Sequence, residues 1–160
     1  MFVPDTPADV IRNHKDMVYR IAFSQCRNHA DADDLTQEVF VQYIHKKPEL
    51  FSEEHLKAWL IRVTINASKS LLRSAWRRKI VPLSEYEHLP ADEKTQSATL
   101  YAVLSLPEKY RIVILLYYFE DYSISEIAGI LERTETAIQT QLYRARAMLK
   151  ELLKEEWGND

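Results

Sequence analysis

The scarcity of glycine is the feature that most constrains the fold of this chain. Only Gly129 and Gly158 occur among its 160 residues. An all-β fold needs many tight turns, where glycine is favoured because it adopts positive φ angles at no steric cost. A dinucleotide fingerprint needs three glycines and a phosphate-binding loop needs a Gly-Lys pair, and the sequence has neither. The chain is therefore expected to be helical and to lack a nucleotide-binding loop.

Apolar residues recur at spacings of three and four, which is the periodicity of amphipathic helices. Thr6-Pro7-Ala8-Asp9 resembles a helix start, Asp31 is a plausible cap for the next helix, and a third long helix begins at Ser52. The predicted buried residues of the second helix are Leu35, Val39, Phe40, Tyr43 and Ile44, and those of the third are Leu56, Trp59, Leu60, Val63, Ala67 and Leu71.

Two helical domains are expected, one over residues 1–80 and the other over residues 97–160, joined by a linker at 81–96. The linker contains Pro82 and Pro90, scattered acids and no apolar period. In the second domain, the segment 105–108 resembles a capping box. The apolar run 112–119 is predicted to be a buried helix because its flanks are helical. The fold class is therefore all-α, with two small domains.

The last third of the chain has the pattern of a helix-turn-helix. Ser123 and Glu126 form a capping box for a short amphipathic helix, and a longer helix follows a polar break at about Glu132. The second helix has a buried stripe with spacings of four, three and four, and its other face presents Glu135, Thr136, Gln139, Thr140, Tyr143 and Arg144. Such side chains can bond base edges and phosphates in a major groove, although the hairpin can also serve packing alone.

A basic segment lies upstream of the linker. The net charge of the chain is -3, but residues 1–80 carry 13 Lys or Arg against 10 Asp or Glu, and residues 55–84 contain seven basic residues and no acid. Local potential attracts phosphates more than total charge does. Asn66, Lys69, Ser70 and Arg73 recur at three and four, so they share one helix face that suits single-stranded DNA. A solvated basic face is the alternative.

Catalytic and metal chemistry are not expected. Cys26 is the only cysteine, so no internal disulfide forms, and no second pair of ligands has metal spacing. The five histidines are scattered, and no nucleophile, base and orienting group occur together. We expect no cofactor and no metal. The sequence has neither a signal-peptide pattern nor an apolar run long enough to span a bilayer, so an intracellular, soluble protein is expected.

These motifs resemble two regions of the bacterial RNA polymerase sigma factors. The segment 32–40, followed by 59–63 and Asn66, resembles region two, and the segments 106–111, 125–128 and 142–146 resemble region four. Two regions and a short linker are typical of the extracytoplasmic-function (ECF) subfamily. The resemblance covers about residues 8–153. It implies a cytoplasmic, bacterial transcription initiation factor that is not itself an enzyme.

The resemblance also implies roles for individual residues. Core RNA polymerase would be bound through its clamp helices by Asp34, Gln37, Glu38 and Val41, and through its flap. The melted minus-ten strand would be read by the loop 48–54 and held by Asn66, Lys69, Ser70, Arg73, Arg77, Arg78 and Lys79. The minus-thirty-five duplex would be read by Thr134, Glu135, Thr136, Gln139, Thr140, Tyr143 and Arg144.

Several positions depart from the family pattern. Ser70 stands where members usually carry aspartate, Thr64 stands at a usual alanine, and Glu132 at the common turn glycine. Gln139 and Gln141 replace the usual lysine and arginine of the recognition helix. Because about two phosphate charges are missing, region four alone is expected to bind DNA weakly, with a shallow salt dependence.

Two other functions remain open from the sequence. A stand-alone helix-turn-helix regulator would need no polymerase, but no long heptad for dimerisation is present outside the recognition helix. A helical interaction or anti-regulator protein would need no DNA, but the acid-free basic segment disfavours it. The resemblance further implies an anti-sigma partner that covers the polymerase- and DNA-facing surfaces.

Overall fold

The computed structural model describes the backbone of residues 2–75 and 94–157, and the side chains of residues 2–71 and 99–154. These residues form helices and no strand, which confirms the all-α prediction. The chain divides into two compact units, Met1–Ile80 and Val81–Asp160, each with its own core.

The first unit is a three-helix bundle. Its helices are α1 (Pro7–Cys26), α2 (His29–Lys46) and α3 (Glu53–Ala75), and each packs against the other two. The core contains apolar side chains from all three helices, including Ile21, Leu35, Val39, Leu60 and Ile61, each at most 2% exposed. The predicted periodicity identified the buried side of α2 except at Ile44, but on α3 only Leu56 and Leu60 of the predicted stripe are buried. The remaining predicted α3 residues are half-buried, and the core face is completed by Ile61, Thr64, Ile65 and Ser68.

Side-chain caps determine where these helices begin. Thr6 caps α1 by accepting a hydrogen bond from the Asp9 amide, and Ser52 accepts one from the His55 amide, as predicted. The prediction that Asp31 caps α2 was wrong. The cap is Asn28, whose side chain accepts a hydrogen bond from the Asp31 amide. Asp31 therefore lies in the first turn, where its negative charge interacts favourably with the helix dipole and stabilises the helix.

The second unit is built around its last helix. Its elements are α4 (Lys94–Ser105), α5 (Glu108–Ile114), a π-helical segment (Leu115–Phe119), α6 (Ile124–Leu131) and α7 (Glu135–Trp157). Helix α7 packs against α4, α5 and α6. Ile138, Leu142 and Ala145 of its predicted stripe are at most 1% exposed, and Leu149, the last predicted member, is half-buried.

The apolar run 112–119 differs from the single buried helix that was predicted. It is α-helical to Ile114 and then widens into the π-helical segment, where the Glu120 amide bonds to the Leu115 carbonyl at 3.1 Å. Tyr118 and Phe119 are 50% and 47% exposed. The extra residue in the π turn rotates the last side chains out of the core, since each residue then advances less around the axis.

Two further boundaries differ from the prediction. The segment 105–108 is not a capping box: Pro107 is the N-cap of α5 and makes no side-chain cap bond, and Ser105 donates to the Tyr101 carbonyl. Helix α4 begins at Lys94, inside the predicted linker, because residues 94–96 contain no proline or glycine to stop it. Most of the linker lies outside the described residues.

The turn between α6 and α7 adopts a left-handed conformation. Glu132 has φ 57° and ψ 45°, and its amide bonds to the Ala128 carbonyl. A residue with a Cβ pays roughly 1 kcal/mol in this region, which explains why glycine is common at such a position. The turn therefore keeps the geometry of a helix C-cap although its residue is not glycine.

We expect Ser123→Ala to lower the free energy of unfolding of the second unit by about 1 kcal/mol. The Ser123 hydroxyl accepts from the Glu126 amide at 3.1 Å, and the Glu126 carboxylate accepts from the Ser123 amide at 3.0 Å. Urea denaturation followed by circular dichroism measures the change. Ser125→Ala, at an exposed position in the same turn, is the control and should not destabilise the chain. Equal effects of the two substitutions would contradict the capping role.

Candidate polymerase and nucleic-acid interfaces

The first candidate surface lies on α2, opposite its buried face. Asp34, Gln37, Glu38 and Val41 are all exposed, and Val41 is 51% exposed. Their spacing of three, one and three places them on one side of the helix. The surface combines two carboxylates and an amide with one exposed apolar side chain.

Ile44 extends this surface, although the sequence analysis placed it in the core. It is 42% exposed and follows Val41 by three residues. Its position on the edge of the apolar stripe explains the error, because residues at the edge of an amphipathic helix are shielded only if a neighbouring helix reaches them. The two exposed aliphatic side chains together form an apolar patch on α2.

The second candidate surface lies on α3. Asn66, Lys69 and Ser70 are exposed on one side of this helix, as predicted. Thr64 and Ser68 are buried on the other side, where each hydroxyl donates to a carbonyl of the same helix. Arg73 lies on α3 by its backbone, but its side chain is outside the described set, and Arg77, Arg78 and Lys79 lie outside the described residues.

Arg62 was not among the predicted contacts. It is exposed and precedes Asn66 by four residues, so it lies one helical turn before Asn66 on the same face. Helical spacing could have found it, because the basic segment already included it. Trp59, by contrast, is half-buried and packs edge-on against Tyr43, with 5.9 Å between the ring centres, so it belongs to the core.

The loop before α3 presents a flat aromatic surface. Phe51 is 72% exposed, and its ring stacks on that of His55 with 5.6 Å between centres and 7° between planes. The Phe51 amide donates to His55 Nδ1 at 3.2 Å, which holds the stack in place. Exposed aromatic faces can stack unpaired bases. The sequence analysis assigned the loop 48–54 a reading role but did not identify this pair.

A buried histidine anchors the same loop. His14 of α1 is 4% exposed, and its Nε2 lies 2.8 Å from a carboxylate oxygen of Glu53, the first residue of α3. Burial of Tyr43 raises the pKa of its hydroxyl, and the nearby negative charge of Glu53 raises it further. The loop therefore ends at a residue tied to the core rather than at a free helix terminus.

The third candidate surface is the exposed side of α7. Glu135, Thr136, Gln139 and Tyr143 are exposed, Tyr143 to 75%, and Thr140 and Arg144 are exposed on the same helix. The side chain of Gln139 has no hydrogen-bond partner among the described residues, so its side-chain amide can pair with a base edge. Thr134 caps the helix by accepting from the Ala137 amide at 3.1 Å, and Thr140 donates to the Thr136 carbonyl.

Both arginines of the segment 142–146 contact tyrosines of preceding elements. A hydrogen bond from Arg144 is the main cause that lowers the pKa of Tyr110, because it stabilises the phenolate. Arg146 Nε donates to the Tyr118 hydroxyl at 2.6 Å, and this bond raises the pKa of Arg146. The guanidinium carbon also lies 5.4 Å and 5.5 Å from the ring centres of Tyr117 and Tyr118.

The described residues contain no cluster of three or more His, Cys, Asp or Glu side chains that could hold a metal ion. No helix in the same part of the chain is long and apolar enough to cross a membrane.

Models of known protein families match both units. The model described as sigma-70 region 2 matches residues 10–78, and that described as sigma-70, region 4 matches residues 97–149. RNA polymerase sigma factor SigV of Bacillus subtilis (strain 168) is 29% identical over 150 residues, which cover 91% of this chain and 90% of SigV. RNA polymerase sigma factor SigZ of the same organism is 30% identical over 127 residues, covering 76% of this chain and 72% of SigZ.

A solved structure has a similar fold. The sigma factor RpoE from Bartonella quintana, in complex with the anti-sigma factor NepR, aligns with a TM-score of 0.75 and 23% sequence identity. The alignment covers 92% of this chain and 96% of RpoE. At this identity the likeness concerns the fold.

We expect Glu53→Gln to destabilise the first unit by about 1 kcal/mol, since it weakens a charge-assisted bond to a buried histidine whose partner is half-exposed. Glu54→Gln removes the same charge from the same first turn and is the matched control. Thermal unfolding of both variants gives the comparison. Equal stabilities would mean that the His14–Glu53 pair contributes nothing beyond the helix dipole.

Proposed function

This chain belongs to the ECF group of the sigma-70 family, whose members give RNA polymerase its promoter specificity, and we propose that it works through the three helical surfaces described above. It is a transcription initiation factor. Under the proposal α2 binds core polymerase, α3 and its preceding loop hold the minus-ten strand, and α7 reads the minus-thirty-five duplex. The observation that supports this division best is that each helix buries one face and leaves exposed those proposed contacts whose side chains the structure describes.

The proposed polymerase contact comprises Asp34, Gln37, Glu38 and Val41, with Ile44 beside them. We propose that the exposed aliphatic patch packs against the clamp helices of the polymerase and that the surrounding polar groups orient it. Burying an apolar patch supplies affinity, whereas exposed charges mainly steer the encounter and exclude wrong partners. A second contact, between the second unit and the polymerase flap, would keep α7 near the promoter.

The proposed minus-ten contact combines charge with stacking. Lys69 and Arg73 on α3, with Arg77, Arg78 and Lys79 beyond it, would follow the phosphates of the melted strand. Asn66 and Ser70 would bond base edges, and the Phe51–His55 stack would receive an unpaired base. Because each stacked base contributes about 1–3 kcal/mol, such a contact can offset the cost of unstacking a base from the duplex.

The proposed minus-thirty-five contact is the N-terminal part of α7, from Thr134 to Arg144. Gln139 and Tyr143 would lie deepest in the groove, flanked by Thr136, Thr140 and Glu135. Because Gln139 and Gln141 are uncharged, the second unit alone would bind DNA weakly, and the polymerase would supply the residence time.

We further propose an anti-sigma partner and a cytoplasmic location. The structurally similar RpoE is bound to the anti-sigma factor NepR. A partner of this kind would cover the α2 patch and the DNA-facing helices and so block transcription. A factor that acts on core polymerase must reach it in the cytoplasm, and it has no chemistry of its own to perform.

The alternative is a stand-alone helix-turn-helix regulator. The match to both sigma regions favours the sigma function over it, because such a regulator would use only the second unit. It would bind duplex DNA tightly without polymerase.

Reconstituted transcription tests the proposal. Core bacterial polymerase is incubated with a genomic fragment library with and without the full chain, and transcript starts are sequenced. Starts that require the chain and share two upstream motifs are expected. An unchanged set of starts, together with no binding to core polymerase, would reject the proposal.

Glu38→Lys should lower the affinity for core polymerase at least tenfold, because it puts a positive charge where the proposed contact has a negative one. Most chain-dependent transcript starts should then be lost. Asp16→Lys makes the same charge change on the exposed side of α1 and should retain both activities. Affinity is measured by titrating labelled chain with core polymerase. Similar losses in the two variants would place the contact elsewhere.

Lys69→Gln should leave polymerase affinity unchanged but shorten the lifetime of the open complex as salt rises, because one phosphate contact is lost. Lys15→Gln, an equal charge loss on α1, is the control. Competitor challenge at several salt concentrations gives the lifetimes. A normal lifetime for Lys69→Gln would remove this residue from the minus-ten surface.

A further inference from the structure

Arg146 is held in a single orientation by groups from a different element. Its Nε donates to the Tyr118 hydroxyl at 2.6 Å, and its guanidinium lies over the rings of both Tyr117 and Tyr118. The two rings meet edge to face, with 4.9 Å between centres and 76° between planes. They project from the π-helical segment, whose widened turn leaves Tyr118 half-exposed beside α7.

The charge of Arg146 has no acidic partner in the described part of the chain. No carboxylate among those residues forms an ion pair with it, and the side chain is exposed. Hydrogen bonds to Tyr118 and, more weakly, to Tyr117 orient the guanidinium without neutralising its charge. Its planar fork of N–H groups matches the geometry of an oxyanion. An arginine that is oriented but not neutralised is prepared for an external phosphate or carboxylate.

The position of Arg146 on α7 indicates which anion it meets. Gln139, Tyr143 and Arg146 follow one another at four and three residues, so they form one stripe. Arg146 lies seven residues beyond Gln139, which corresponds to about 10 Å along a helix with a rise of about 1.5 Å per residue. A major groove is about 12 Å wide, so a side chain at this distance from the base-reading residues reaches the phosphates at its edge.

We propose that Arg146 binds a backbone phosphate beside the minus-thirty-five element and that Tyr118 is the residue that positions it. This inference rests on the proposed function, because it requires α7 to enter the groove. It adds a contact beyond the residues assigned to base reading, and it assigns the π-helical segment a role in DNA binding. Arg146 supplies a positive charge on a helix whose Gln139 and Gln141 are neutral.

The test uses the full chain and a fully paired, fluorescein-labelled duplex of 30 mixed-sequence base pairs, because a phosphate contact does not depend on sequence. A paired duplex offers no unpaired base to the first unit. Fluorescence anisotropy at several KCl concentrations yields the affinity and its salt slope. The variants are Arg146→Gln, Tyr118→Phe, the double variant and the control Lys15→Gln, and thermal unfolding verifies that each is folded.

Arg146→Gln should reduce the salt slope by about 0.9 and the affinity about eightfold at 0.1 M KCl, which is the counterion-release value for one phosphate. Tyr118→Phe keeps the charge, so the slope should stay near that of the unchanged chain while the affinity falls about threefold. The double variant should bind no more weakly than Arg146→Gln, because Tyr118 acts through Arg146.

Three results would overturn the inference. If Arg146→Gln has no larger effect than Lys15→Gln, Arg146 does not hold a phosphate. If Tyr118→Phe weakens binding equally with and without Arg146, Tyr118 stabilises the unit but does not position the arginine. If Arg146→Gln leaves duplex binding unchanged but weakens binding to core polymerase, measured by titrating labelled chain with the polymerase, its partner is a protein carboxylate. An absence of chain-dependent transcript starts rejects the sigma mechanism separately, since the duplex measurement involves no polymerase.

Discussion

Each proposed interface in this chain depends on a helix that also builds a core. Ile138, Leu142 and Ala145 attach α7 to its unit with almost no exposure, and Gln139 and Tyr143 project from the other side of the same helix. Because the two sets share one backbone, a change in core packing rotates or shifts the reading side chains. The same coupling holds for α2 and α3 in the first unit. DNA and polymerase recognition are therefore only as well ordered as the packing beneath them.

Helical periodicity predicted those features that depend on nearby residues, namely helix caps and many of the buried positions. The caps at Thr6, Ser52 and Ser123 and most of the predicted buried residues of α2 and α7 were correct, because a helix face and a cap depend on residues within one or two turns. The predicted stripe of α3 was correct only at Leu56 and Leu60, since the buried face also takes in Thr64 and Ser68, which an apolar pattern cannot identify. The fold class and the sigma family followed from these helices and from motif order. The exposed sets on α3 and α7 followed from helical spacing, and the set on α2 followed from the family resemblance.

Features that depend on distant residues were not predictable in this way. The Tyr118–Arg146 contact joins residues 28 positions apart, and the π-helical segment interrupts an apolar run that reads as an uninterrupted helix. Ile44 matches the buried period of α2, yet no neighbouring helix covers it fully. Asn28 rather than Asp31 caps α2 because α1 ends at Cys26, so α2 can begin directly after residue 28. The function of the individual contact residues remains a prediction.

The hydrogen bond within the α6–α7 turn limits how this protein can be made to bind DNA more tightly. Arg133 donates to the Gln141 side chain at 2.9 Å, joining the turn to the second turn of the recognition helix. A basic residue at 141 would face Arg133 as a like charge and would remove the acceptor. The side chain of Gln139 makes no hydrogen bond of this kind within the described residues. Of the two glutamines, which look equivalent in the sequence, only Gln139 can therefore be replaced by a basic residue without disturbing the turn.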